Sequence, residues 1–329
     1  MRCNKAKAKN YREFLKLDHT QGTLETLPNQ IVFDIYHLLL MIARDKGIHR
    51  KSGVNMFASV MILLVVAGSL VFHFMSPWRA TPVASNWGSI DETMALTFII
   101  TGIGFVAVGL FLVFCLWRFR HKPGSKADYE PENTKLELIL TIITTLAVVI
   151  LLAPGLLVWG QFVTPPENAA QIEAVGVQWS WSFRLPGADY QLGTSDVRMI
   201  DATNSLGVNP GDPRSADDLI ITDGELHLPV NKPVKVLLRS VDVLHDFYIP
   251  QVRAKMDLVP GIVSYLWFTP TTIGEYEILC AAYCGNGHPQ MRGKLIVDSD
   301  EDYEKWLHTQ QTFAQIRKAQ AENIKVGVN

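Results

Sequence analysis

Cysteine is scarce in this 329-residue chain, and its four cysteines make no disulfide framework. Cys3 lies in a basic N-terminal stretch and Cys115 inside an apolar run, so neither is placed to bridge the other two. An internal repeat is lacking, and so is a glycine-rich phosphate loop, which sets aside repeat arrays and phosphate-cradling enzymes. Charged residues are few, 19% of the chain, and the net charge of −2 offers no concentrated basic face for nucleic acid. The small net conceals a split. Residues 1–52 carry ten Lys and Arg against five Asp and Glu, whereas residues 164–329 carry 14 against 21. A basic start and an acidic end predict different compartments for the two ends.

Apolar residues are plentiful, at 48% with a mean hydropathy of +0.13. The length predicts two domains. Met56–Met75 runs for 20 residues without Asp, Glu, Lys or Arg, Met94–Trp117 for 24 and Leu138–Val163 for 26. Each reaches the roughly 20 residues that a bilayer requires of a helix. Pro154 falls inside the third run, where a neighbouring helix can cover the freed backbone. Ten Lys and Arg precede the first run, the linker Ser76–Thr93 holds only Arg79, and Arg118–Glu137 holds five. Positive residues stay inside, so the N-terminus and the second linker face the cytoplasm and everything after Val163 lies outside. A cleaved signal is a poor reading of the first run, because 55 residues precede it. Ile31–Ala43, with Asp34 and His37, is too short to span and reads as an amphipathic interfacial helix.

From about Ala169 short alternating segments replace the long runs. Val234, Val236 and Leu238 alternate with Lys235, Leu237 and Arg239, and Tyr276, Ile278 and Cys280 alternate with Glu275, Glu277 and Leu279. Val263, Tyr265 and Trp267 make a third such face and Gly293–Val297 a fourth. Period-two alternation between glycines and prolines predicts half-buried strands in a β-sandwich or barrel. Gly187–Asp218, rich in Gly, Asp, Ser and Asn, reads as an irregular surface excursion, and Asp300–Glu322 as one helix. The expected organisation is a cytoplasmic extension over 1–52, a transmembrane region over 53–165, an extracytoplasmic domain over 166–300 and a C-terminal helix and tail over 301–329.

The chemistry concentrates in Cys280-Ala281-Ala282-Tyr283-Cys284-Gly285-Asn286-Gly287-His288-Pro289-Gln290-Met291, with His245 standing 35 residues before Cys280. Two thiolates, two imidazoles and a thioether form a soft ligand set that favours copper over magnesium or calcium. Two cysteines four apart on a turn can face one point, His288 and Met291 follow in the same loop, and His245 comes from another strand end. Taken singly these residues have plainer readings: a disulfide or redox pair, a zinc half-site, a core methionine. Structural zinc sites favour closer cysteine pairs and do not use methionine.

The spacing C-x3-C-x3-H-x2-M with a distant histidine resembles the dinuclear copper (Cu-A) site of cytochrome c oxidase subunit II, and the likeness extends over roughly Met94 to Trp306. It implies a cupredoxin-like Greek-key β-sandwich on transmembrane helices, in a bacterial inner membrane, with two coppers held by His245, Cys280, Cys284, His288, Met291 and the Ala282 carbonyl. Gly176-Val177-Gln178-Trp179-Ser180-Trp181-Ser182-Phe183 looks like the family's aromatic stretch, which would make Trp179 the residue receiving electrons from cytochrome c and leave Trp181 to packing. Asp242 and Asp257 would belong to an acidic docking surface, and Glu137, before the third span, to the mouth of a proton path. The implied partners are cytochrome c and subunits I and III of a haem-copper oxidase. Two departures stand out. The family usually has glutamate where this chain has Ala282, so the side-chain ligand for a neighbouring magnesium or manganese is missing. The N-terminal region with its own span is also unlike the common two-helix subunit. Related readings are the copper subunit of a nitric oxide reductase and, from another class, a membrane-anchored copper chaperone.

Overall fold

The computed structural model describes residues 51–76, 81–120 and 132–326, together with positions 122, 124, 126 and 129. Cys3, the expected helix Ile31–Ala43, Arg79 and nearly all of the 1–52 extension lie outside the described residues. Three long helices come first: α1 (Lys51–Met75), α2 (Gly88–Arg118) and α3 (Thr134–Phe162). Each contains a stretch long and apolar enough to cross a membrane, and their side chains are almost wholly uncovered by protein. Helices satisfy their own backbone, so an uncovered apolar surface suits hydrocarbon rather than water. Asn133 caps α3, its side chain accepting the N–H of Leu136 at 3.1 Å.

Ten strands follow: β1 (Ala170–Val177), β2 (Ser180–Leu185), β3 (Leu219–Ile221), β4 (Glu225–Pro229), β5 (Val234–Ser240), β6 (His245–Ile249), β7 (Ala254–Leu258), β8 (Ser264–Phe268), β9 (Gly274–Cys280) and β10 (Arg292–Asp298). They form two five-stranded sheets, ordered β3-β2-β1-β5-β8 and β4-β10-β9-β6-β7. The β1–β5 and β4–β10 pairs are parallel and the others antiparallel. This is the β-sandwich of the expected cupredoxin-like class. Its core joins Trp181, Phe183 and Leu238 of one sheet to Phe247, Ile278 and Leu295 of the other. Each such side chain contributes about 1.5–3 kcal/mol by leaving water.

Two expectations are corrected. In β8 the core face is Leu266 and Phe268, while Tyr265 and Trp267 face the other way. Tyr265 and Trp267 donate to the carbonyls of Val163 and Gln161 at the end of α3, at 2.9 and 3.0 Å, and Trp267 stacks edge-on against Trp87. Both faces of that strand are occupied, so alternation alone could not choose between them. The C-terminal helix is two: α4 (Asp300–Leu307) and α5 (Phe313–Val326). Thr312 restarts the helix with a capping box, since its hydroxyl accepts the N–H of Gln315 while Gln315 Oε1 accepts the N–H of Thr312.

The stretch 187–218 is irregular, as expected, and it also packs as a cover. Leu206 and Val208 bury themselves with Val175 and Phe313 in a second apolar cluster. Beneath the cover lies a buried ionic network. Glu173 on β1 faces Arg184 on β2 in register, with Arg184 Nε 3.0 Å from its carboxylate. Arg239 of β5 adds a second cation at 3.1 Å, and Arg184 also reaches Asp218 at 2.9 Å. Burial pushes the Glu173 carboxyl up, but Arg184 and Arg239 more than offset this and hold it below its usual range. Burial dominates at Asp218 and pushes it to about 6 despite Arg184.

A further set of contacts mounts the sandwich on the helices. Arg253 makes a bidentate pair with Asp91 in the first turn of α2, both contacts at 2.8 Å, and reaches the carbonyl of Thr81. Trp87 donates to Trp267 O at 2.9 Å and packs on Phe162. Two parallel N–H bonds fix direction as well as distance.

Candidate metal centre

The register of three strands brings the motif together. Phe247 pairs with Cys280 across β6 and β9, so His245, two residues earlier on β6, projects past the end of β9. The N–H of Ala281 donates to Asp246 O at 3.1 Å, which holds the start of the loop against β6. At the other end Cys280 N donates to Met291 O at 3.2 Å, so the ten residues 281–290 form a closed loop between β9 and β10. His288 opens a 3-10 turn within it.

Five side chains and one carbonyl converge there. Cys280 Sγ lies 3.9 Å from His245 Nδ1, 3.7 Å from Cys284 Sγ and 3.2 Å from Ala282 O. Cys284 Sγ lies 3.6 Å from His288 Nδ1 and 3.8 Å from Met291 Sδ. The donor atoms of His245, Cys280 and Cys284 all fall within 4.8 Å of one another, and all three residues are buried. A sulfur separation of 3.7 Å is far beyond the roughly 2.05 Å of a disulfide. It suits two thiolates each about 2.3 Å from a shared metal ion. The remaining donors, imidazole nitrogens and a thioether, are those that copper accepts. The residues fit the group.

The electrostatics show what the pocket needs. Burial, and then the neighbouring Cys280, push the Cys284 thiol up to about 11. Two thiolates side by side repel, so a cation is required before both can lose their protons. His245 is fully buried, and its Nε2 meets Asp242 Oδ1 at 2.8 Å, which leaves Nδ1 aimed at Cys280. A carboxylate behind a ligating imidazole fixes the tautomer and the ring plane. Burial works against the charge of Asp242, yet the N–H of Gln178, the His245 ring and the N–H of Val243 hold its carboxyl below the usual range. Gly176 packs closely beneath the ring, where a Cβ would sit 3.1 Å from His245 Cδ2.

The other predicted residues divide. Trp179, 42% exposed, lies against the loop and donates its indole N–H to Cys284 O at 3.1 Å. Trp181 is core, with edge-on contacts to His245 and Phe247. Asp242 is exposed at the surface, and its carboxylate also reaches His245 Nε2. Asp257 is exposed on β7, paired in register with Asp246, whose carboxyl burial and Asp257 together push to about 6. Glu137 stands apart, in the first turn of α3, with 24 residues of helix between it and Phe162 at the other end. Gln178 and Tyr283 were not singled out from sequence. Gln178 Nε2 donates to Cys284 O at 2.9 Å, and the exposed Tyr283 ring lies 5.8 Å from that of His288. Gln178 could have been noticed as the polar residue beside Trp179, but only the fold reveals what it touches.

Comparisons with known proteins agree with this geometry. Residues 170–299 match the family described as cytochrome C oxidase subunit II, periplasmic domain, and residues 77–158 match its transmembrane domain. An alternative cytochrome c oxidase subunit 2 of Bradyrhizobium diazoefficiens is 55% identical over 259 residues, covering 79% of this chain and 94% of that one. A cytochrome c oxidase subunit 2 of Cereibacter sphaeroides is 30% identical over 237 residues, 69% of this chain and 77% of its own. Among solved structures, the periplasmic domain of subunit II of cytochrome oxidase of Bradyrhizobium japonicum aligns with 44% of this chain and 96% of its own at 25% identity, with a TM-score of 0.32. Three membrane-capable helices, a cupredoxin-like sandwich, a buried His, Cys, Cys cluster and matches to both domains lead to one assignment: the chain belongs to the cytochrome c oxidase subunit II family.

Proposed function

We propose that this chain is the electron-accepting subunit of a membrane-bound haem-copper oxidase, taking single electrons from cytochrome c and passing them to haem in a partner subunit that reduces oxygen. One observation supports it above the rest: two thiols, two imidazoles, a thioether and a carbonyl meet at the strand ends. Six donors exceed the four that a single tetrahedral ion takes, which favours a pair of coppers. His245, Cys280, Ala282 O, Cys284, His288 and Met291 would hold that pair. Bound there, copper supplies one-electron transfer with its charge shared between two ions.

The chain's own residues provide the rest. Strand register and the closed loop hold the donors almost still, which keeps the reorganisation that accompanies each electron small. Trp181, Phe247 and the sandwich core exclude water from beneath His245. Trp179 presents a partly exposed indole to the donor and contacts Cys284 through a single hydrogen bond. The surplus of acids after residue 163, 21 against 14, would draw a basic cytochrome c and raise its encounter rate. The Lys and Arg asymmetry favours a bacterial inner membrane with the N-terminus in the cytoplasm and the sandwich in the periplasm, beside subunits I and III. Asp257 would stand on the docking or subunit interface and Glu137 near a proton path on the cytoplasmic side.

The test is cytochrome c oxidation by the whole complex carrying Trp179→Phe. The variant should bind copper as the parent does and transfer electrons from cytochrome c more slowly, by an order of magnitude or more, since small misplacements of reacting partners are costly. An unchanged rate would remove Trp179 from the path.

A further inference from the structure

Resting on the copper reading above, we infer that Gln178 is a positioning residue for electron uptake: it ties Trp179 and both halves of the ligand set into one hydrogen-bonded frame. Gln178 sits with Trp179 in the two-residue turn between β1 and β2. Its backbone N–H donates to Asp242 Oδ2 at 2.7 Å, while Oδ1 of the same carboxylate meets His245 Nε2 at 2.8 Å. Its side-chain amide donates to Cys284 O at 2.9 Å, the carbonyl that also accepts Trp179 Nε1. One residue therefore grips the His245 side through its backbone and the Cys284 side through its side chain. With two N–H donors on it, the Cys284 carbonyl has both lone pairs engaged.

The loop is shaped for this turn. A Cβ on Gly285 would lie 3.1 Å from Gln178 Nε2, and one on Gly287 would lie 2.3 Å from Trp179 Cδ2. Only glycine lets the turn lie flat on the metal loop at those positions. Gln178 and Trp179 are exposed and lie outside the apolar core. Losing the Gln178 amide therefore empties no cavity, and it leaves the Cys284 carbonyl still bonded to Trp179. What it removes is the second point that keeps the indole from pivoting about its own hydrogen bond. Position and stability thus come apart at this residue.

The experiment uses the full-length chain in its membrane complex, with Gln178→Leu, which keeps length and loses the donor, and Gln178→Glu, which keeps shape and turns oxygens towards Cys284 O. Three readouts are compared with the parent: the thermal midpoint, the steady-state kcat and KM for cytochrome c, and the fluorine resonance of Trp179 in metal-free protein labelled with fluorotryptophan, assigned by Trp179→Phe. Both variants should melt with the parent and keep KM within about twofold, while kcat falls on the order of tenfold, as small misplacements of reacting partners do. The Trp179 resonance should shift or broaden without metal. A parent-like kcat and resonance in Gln178→Leu would overturn the inference, and so would a lost kcat accompanied by unfolding. Should the parent itself hold no coupled copper pair, the copper reading fails on its own account. The metal-free resonance would then decide the role of Gln178 in holding Trp179.

Discussion

The sandwich buries two polar clusters, and they differ in whether their charges balance. Beneath residues 187–218, Glu173 and Asp218 are matched by Arg184 and Arg239 at 2.9–3.1 Å, so the cluster carries its own counter-charges. At the strand ends beside loop 281–290, Cys280 and Cys284 face two imidazoles and a thioether with no cationic side chain among them. There burial pushes a thiol up to about 11 rather than favouring its thiolate. The first cluster draws its counter-charges from the fold itself and holds the cover to the sheet. The second is a set of donors compatible with a metal ion, whose positive charge would balance the thiolates.

Cys280→Ser breaks the comparison at its sharpest point. Replacing one thiolate should abolish the coupled copper signal while the sandwich stays folded, read by electron paramagnetic resonance and far-ultraviolet circular dichroism of the same sample. A coupled signal that survives would mean Cys280 is not shared between two ions. Arg184→Met tests the other cluster. It strands Asp218 in the interior and leaves Glu173 with Arg239 alone, and breaking a buried pair costs about 3–5 kcal/mol. The thermal midpoint of the full-length protein should drop markedly, while copper bound per folded chain stays at the parent value. If copper is lost from folded protein as well, the two clusters are not independent.

The smallest expected effect is a pH slope. Asp218 is pushed from 3.8 to about 6, so its contribution to stability is full below about pH 4 and is withdrawn as pH rises through 6. Glu173, held below its usual 4.5, acts in the opposite sense: its contribution is present above that pH and lost as pH falls through its lowered value. Asp218→Asn should therefore flatten the decline of the thermal midpoint between pH 4 and 7. An unaltered slope would show that Asp218 stays ionised throughout.

The same contrast explains what could be read from sequence. The candidate ligands declare themselves because their residue types are rare and their spacing is local, and only His245 depends on a distant strand. Strands β5 and β9 were legible because one face of each is apolar. The ionic network was not, since Glu173, Arg184 and Arg239 resemble solvent-facing charges until 187–218 folds over them. Asp242 likewise reads as a surface acid, and only the folded turn before β6 reveals its bond to His245. The Tyr265 and Trp267 face was visible as apolar, but what it meets, the end of α3, is set by tertiary packing. Thr312 starts a separate helix through a capping box that a helical pattern over 300–322 conceals.

On the proposed function, the cluster lacking its own counter-charge would take a pair of coppers. The most direct measurement is copper per purified chain together with the electron paramagnetic resonance spectrum of the partly oxidised protein. About two coppers per chain with one spin shared between them is the predicted result. One copper with a single-ion spectrum, or a colourless zinc protein, would contradict the account.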